Sequence, residues 1–280
     1  MGSHSTERDY TSVYKAIEDR KIPQKVMLAL GACILIGVAA VCYALFTPNV
    51  VDTVALNTDT KTVDVNLRRF QASFIQNFMY FNGVAQGGFI MTCIGVTVYA
   101  RWTRRFKRIA EALAMFLPVS FALLIIFLAT GGIEVYPWHD LTPAGLDATG
   151  AHHKALYFDT TFFYARLIIG LGFMVALSLY FVKTSLRPDL IKAYAAMKAE
   201  NKTPPAKWKK SIPNIEELDL DAEVEKAQAK LITISPILCI GYALIYSMVS
   251  VDISMSLAPY FFTNMFPAWY FMSCIWSGLV

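Results

Sequence analysis

None of the four histidines of this 280-residue chain, His4, His139, His152 and His153, lies in an apolar run long enough to cross a bilayer. A b-type haem held between two transmembrane imidazoles is therefore not supported. The five cysteines (Cys33, Cys42, Cys93, Cys239, Cys274) form no C-x-x-C or Cys/His pattern. That argues against iron–sulfur and zinc ligation and leaves them as small apolar packing residues. A P-loop, a G-x-G-x-x-G turn, a hydrolase elbow and any repeat of short period are all missing. The expectation is a chain that binds no redox cofactor or metal of its own. Charge is scarce as well, at 16% of residues against 56% hydrophobic, a balance too apolar for an ordinary soluble domain. The net charge of +4 does not point to nucleic acid, because the basic residues cluster where helices would leave a membrane. No small-residue cleavage site follows the first apolar run, which reads as a retained anchor.

What the chain has is six apolar runs: Val26 to Phe46, Phe74 to Ala100, Ile109 to Gly131, Phe158 to Val182, Leu231 to Val251 and Phe262 to Val280. Each approximates the ~20 residues of a bilayer-spanning helix. The N-terminal segment and the second and fourth connections hold five, five and ten Lys/Arg, whereas the first, third and fifth hold three, one and none. This alternation places the N-terminus and the even connections in the cytoplasm. The expected fold is an all-α polytopic bundle. Residues 1–25 form a cytoplasmic segment, 26–182 four spans, 183–230 a cytoplasmic helical hairpin and 231–280 two further spans. The last run is still apolar at Val280, so a longer chain and a larger bundle are expected.

Within the first segment, Tyr10, Val13, Tyr14 and Ile17 have the spacing of a short amphipathic helix, and a solvated tail fits them equally. In the hairpin, Asn214 followed by Glu217 reads as a capping box opening a helix. Pro118 and Pro236 fall within the third and fifth runs and are expected to bend them.

With that orientation, the intramembrane polar residues fall in one outer layer. It holds Asn82 and Gln86 on the second run, Trp138 and His139 after the third, His153, Asp159 and Arg166 on the fourth, and Asp252 on the fifth. The inner halves read as nearly featureless. Asp159 and Arg166, seven apart, share a helix face but differ in height by about 10 Å, so a water or a residue from another helix would have to link them. A charge at membrane depth demands a buried partner or a wet cavity. The layer reads either as stations on a proton path or as an ion-pair network tying helices together. Asn82 and Gln86 are amides of the kind that pair between helices. Tyr157, Phe162, Phe163 and Trp138 beside Asp159 and His153 could form an apolar slot for a quinol.

Two stretches of this layer carry a resemblance. Tyr136-Pro137-Trp138-His139, with His153-Lys154-Ala155-Leu156-Tyr157-Phe158-Asp159 running on to Phe162-Phe163-Tyr164-Ala165-Arg166, resembles a W-x-H … H-K-A-x-Y-[LF]-N-x-P-F-F-x-x-R pattern. Asp252-Ile253-Ser254-Met255-Ser256-Leu257-Ala258-Pro259-Tyr260-Phe261 resembles D-W-x-M-S-L-[DE]-P-H-W. Both belong to the ActF-like membrane subunit of bacterial alternative complex III, within the NrfD/PsrC-like family. The resemblance covers about forty residues. It implies a subunit of a quinol:electron-acceptor oxidoreductase in the bacterial inner membrane. Quinol would bind an NrfD-like sister subunit, and haem c and iron–sulfur clusters would sit in a multihaem cytochrome and an iron–sulfur protein. The subunit itself would act as a scaffold with a hydrophilic path for protons. Asp159 stands where the pattern has Asn, and Ala258 and Tyr260 stand where it has an acid and His. A secondary transporter with its site in the polar layer is the other reading, although no inverted repeat is visible. The topology predicts that a membrane-impermeant amine reagent labels Lys154 from outside and Lys209 only after the membrane is opened; the reverse pattern would invert the map.

Overall fold

The structure, a computed structural model, describes residues 23–54, 60–100, 102–103, 106–140, 157–199, 212, 215, 219–258, 261 and 263–280. The amphipathic stripe at Tyr10–Ile17, the capping box at Asn214 and Glu217, and His153 lie outside these residues.

The described chain is helical, and four of its helical segments are long and apolar enough to cross a membrane: Gln24–Tyr43, Lys107–Ala129, Thr160–Ala199 and Leu220–Leu257. Helix α1 spans Gln24–Phe46. A hairpin follows, its strands β1 (Val50–Val54) and β2 (Thr60–Asp64) antiparallel with Val50 opposite Asp64. The sequence reading had no strand here; runs of Val and Thr favour a pleated backbone. Asp64 links the hairpin to α2 (Val65–Thr97), its Oδ1 accepting from the Asn66 and Leu67 amides at 2.9 and 3.3 Å. The third apolar run is divided into α3 (Lys107–Leu113), a 3₁₀ turn (Ala114–Phe116) and α4 (Leu117–Ala129). Pro118 sits in the first turn of α4, where its missing N–H costs no helical bond, so the break lies in the 3₁₀ turn before it. Helix α5 runs Thr160–Ala199 and α6 Leu220–Val249. A π turn (Ser250–Ser254) and a 3₁₀ turn (Met255–Leu257) extend α6, and α7 is Met265–Leu279.

Two of the six expected spans behave differently from the rest. Helix α7 is only 15 residues long. Helix α2 has 33 residues but carries Gln71, Gln76, Asn77, Asn82 and Gln86, and it is absent from the four apolar candidates. It is the buried helix: from Phe78 onward most of its side chains are covered. Gln71, Asn82 and Gln86 are buried against protein, whereas Gln76 and Asn77 are exposed. Helix α1 is the opposite case, with none of its apolar window buried.

The chain divides into two compact units, Met1–Ala40 with Lys183–Leu231, and Val41–Val182 with Ile232–Val280. In the first, Ile191, Tyr194, Ile212 and Ile215 form a small core with Leu190 and Leu220 packed against it. Glu223 pairs there with Arg187 at 2.7 Å and Lys226 at 3.5 Å. The second unit is built around α2. Phe89 meets Phe181 edge-on at 5.4 Å, and Leu117, Leu167 and Leu238 are fully enclosed. Helices α2 and α7 lie backbone to backbone. A Cβ on Gly83 would stand 2.5 Å from the Cys274 sulfur, one on Gly88 3.0 Å from the Gly278 carbonyl oxygen, and one on Gly87 would fall on the Cys274 carbonyl. The Gly83-x-x-x-Gly87 spacing is the small-residue pattern that lets membrane helices approach closely. Tyr270 clips the pair by donating to the Met79 carbonyl at 2.9 Å.

Gly87→Ala should therefore lower the thermal midpoint in detergent, through about 1–3 kcal/mol of overpacking. Gly31→Ala, where nothing lies within 4 Å, should leave it unchanged or raise it slightly.

Candidate functional site

Three segments converge at one end of the second unit: the 3₁₀ turns after α4 (Gly132–Val135 and Pro137–Asp140), the entry to α5, and the π turn that closes α6. Asp252, in the π turn, is fully buried, and its partner Arg166, two turns into α5, keeps 9% of its side chain exposed. The guanidinium grips the carboxylate as a fork, Nε donating to Oδ2 at 3.1 Å and Nη2 to Oδ1 at 3.0 Å. Nη2 also donates to the Tyr157 carbonyl at 3.1 Å. The Tyr157 hydroxyl donates to Asp252 Oδ1 at 2.6 Å. The guanidinium lies over the Tyr157 ring at 3.8 Å and the Phe162 ring at 4.5 Å. Burial, then the bond and charge of Asp252, push the Tyr157 hydroxyl well above its ordinary pKa, against a smaller opposing pull from Arg166. It therefore stays a protonated donor at any ordinary pH. Tyr136 is raised for the same two reasons, burial first and the Asp252 charge second.

The pair's surroundings are aromatic. Trp138 stacks on Phe158 at 5.1 Å and packs against Phe163 and Tyr136 at 5.3 and 5.6 Å. The Tyr136 hydroxyl donates to the Ile253 carbonyl at 3.1 Å, and the Ser256 hydroxyl donates to the Asp252 carbonyl. Among the described residues, Arg166 Nη1 and Trp138 Nε1 are buried donors without an acceptor.

The sequence reading placed several residues in one layer, and the structure separates some of them. Arg166 and Asp252 meet directly. Asp159 does not join them; it is exposed and caps α5, Oδ1 accepting from the Phe162 amide at 2.9 Å. Asp is among the strongest helix N-caps. The link that Arg166 needed comes from α6 instead. His139 is exposed at the end of its 3₁₀ turn. Of the four aromatic residues, Phe163 and Trp138 are 1% and 3% exposed and pack on each other, while Tyr157 and the half-exposed Phe162 lie against the guanidinium.

Asn82 and Gln86 belong to a second, deeper set. Asn82 donates to the Tyr246 hydroxyl at 2.9 Å and accepts from Ser120 at 3.0 Å, joining α2, α4 and α6. Gln86 donates to Ser178 at 3.2 Å, which lies twelve residues, about 18 Å, along α5 from Arg166. The start of the third run, on the side expected to be nearly featureless, carries a buried acid. Glu111, 2% exposed at the start of the third run, is held by Arg108 and, at 3.8 Å, by Lys107. Ser120 and Ser178 escaped sequence reasoning because lone serines in apolar helices usually bond their own backbone, and Tyr246 because an aromatic ring in an apolar run reads as packing. No protein-family model and no curated protein matches this sequence.

Because both charges are buried, removing one strands the other. Arg166→Ala or Asp252→Ala should each destabilise by about 3–5 kcal/mol, whereas the paired Arg166→Met, Asp252→Leu change should cost much less than the sum. Thermal unfolding of the four proteins in one detergent checks the non-additivity.

Proposed function

We propose that this chain is an integral membrane subunit of a quinol:electron-acceptor oxidoreductase of the alternative complex III type. In this reading it crosses the bacterial inner membrane six times, with its N-terminus in the cytoplasm, as part of a larger NrfD-like bundle. Its work is to scaffold the assembly and to offer a candidate proton path through Tyr157, Arg166 and Asp252. Haem c and iron–sulfur clusters belong to partner subunits, the multihaem cytochrome and the iron–sulfur protein, and quinol to an NrfD-like sister subunit.

One observation carries the reading. The two stretches that carry the family resemblance, 86 residues apart at Arg166 and Asp252, supply both halves of one buried ion pair and most of its aromatic shell. A chance likeness in two separate segments has no reason to converge on one site. The tight packing of Trp138 and Phe163 favours the sister subunit for quinol over this chain. Purification of the tagged chain in mild detergent should bring down multihaem and iron–sulfur proteins, visible as haem absorbance that follows the tag. A cofactor-free homomer able to move a solute would overturn the proposal in favour of a transporter.

A further inference from the structure

The end of α6 departs from α geometry at the residue that matters most. Between Ser250 and Ser254 the helix widens by one residue into a π turn, with Asp252 at its middle. Such turns place an extra residue in the helix and recur where a side chain must be re-aimed. Here the Met255 amide donates both to the Ser250 carbonyl, five residues back, and to the Val251 carbonyl, four back. The first is the π pairing and the second the α pairing, so one donor is shared between two registers. Side chains hold the wide form. The Ile253 carbonyl, which the Leu257 amide would take in a continuous α-helix, accepts the Tyr136 hydroxyl at 3.1 Å. The Ser256 hydroxyl donates to the Asp252 carbonyl and the Ser250 hydroxyl to the Ser247 carbonyl at 2.7 Å, bonds that serines make in any helix, so Tyr136 is the contact particular to the wide form.

The geometry points to a two-register switch at the end of α6, in which the π form, latched by Tyr136, presents Asp252 to Arg166 and the α form withdraws it. Losing the extra residue turns the segment beyond it by about 100° and shifts it by about 1.5 Å along the axis. Asp252, midway through the turn, takes about half of that rotation, which swings its carboxylate off both Arg166 and Tyr157 and leaves the guanidinium without its counter-ion. The Tyr136 bond belongs to the π form alone, so the register and the ion pair are one equilibrium seen from two sides. The inference rests on the geometry of α6 and stands apart from the assignment to a quinol-oxidising complex.

The test uses Tyr136→Phe in the full chain, which keeps the ring among Trp138 and Phe163 and removes only the latch. Two readouts are taken in the same detergent: hydrogen exchange of the amides at 252–257, and mass-spectrometric mapping of phenylglyoxal modification at Arg166. Both should rise together, each about tenfold, the equivalent of 1.4 kcal/mol of lost latch, while amides in α4 keep their rate. The Tyr136 hydroxyl bonds to neither Arg166 nor Asp252, so a purely local role would loosen the amides and leave Arg166 protected. That result, or no change in either readout, overturns the switch. Deleting Val251 should close the α register outright and expose Arg166 to the reagent; a shortened chain that keeps Arg166 protected also overturns it. Should the deletion fail to accumulate, the two readouts on Tyr136→Phe decide alone.

Discussion

A full positive and a full negative charge face each other inside an apolar bundle, and the architecture around them follows from that cost. Taking either ion out of water unpaired is prohibitive, so Arg166 on α5 and Asp252 on α6 must meet with good geometry wherever these helices pack. Fork geometry alone leaves lone pairs and N–H groups over. Tyr157 supplies a hydroxyl and a carbonyl for them, and two rings cover the flat faces of the guanidinium. The carboxylate sits in the widened turn at the helix end, where Tyr136 donates to the Ile253 carbonyl and Ser256 to the Asp252 carbonyl. Removing any one of these groups leaves another unsatisfied, so the site behaves as a unit rather than as a set of contacts.

The bundle inverts the usual relation between burial and polarity. The apolar helix α1 has none of its apolar window buried, and the helix richest in amides, α2, is the core of the second unit. In lipid the outer surface has no need of polar groups, whereas the interior is where amides find partners. Asn82 and Gln86 accordingly bind across to α4, α5 and α6. At Gly87, Gly88 and Gly278 there is no room for a side chain between α2 and α7, and these glycines bring the two backbones together. Dispersion and close fit must hold this interface, because burial from lipid gains little.

Several elements were readable in advance for definite reasons. Length and hydropathy mark helices such as α5 because a bilayer demands both. Arg166 was marked as requiring a partner because charge in an apolar run is costly wherever the helix goes. The role of Asp159 was misread: a carboxylate seven residues before an arginine suggests a shared face, but its place just before Thr160 makes it a cap. The hairpin at Val50–Asp64 was missed because short Val/Thr runs between apolar segments pass for connection. The division of the polar residues into two sets, one at Asp252 and one at Asn82 and Gln86, was hidden because height along a helix says nothing about which neighbour lies opposite.

By itself the sequence determined the helical character of the chain, the presence of segments apolar enough to cross a membrane, and the need of a charge within them for a partner. These follow from composition and from spacing along one strand of chain, where the period of the helix is known beforehand. Only the tertiary structure decided that Arg166 pairs with Asp252 rather than joining Asp159, that Tyr136 grips a carbonyl in a π turn, and that α2 lies inside. Each of those depends on the rotation and depth of one helix against another. Such relations arise from the mutual fit of side chains far apart in the chain, and no local pattern encodes them.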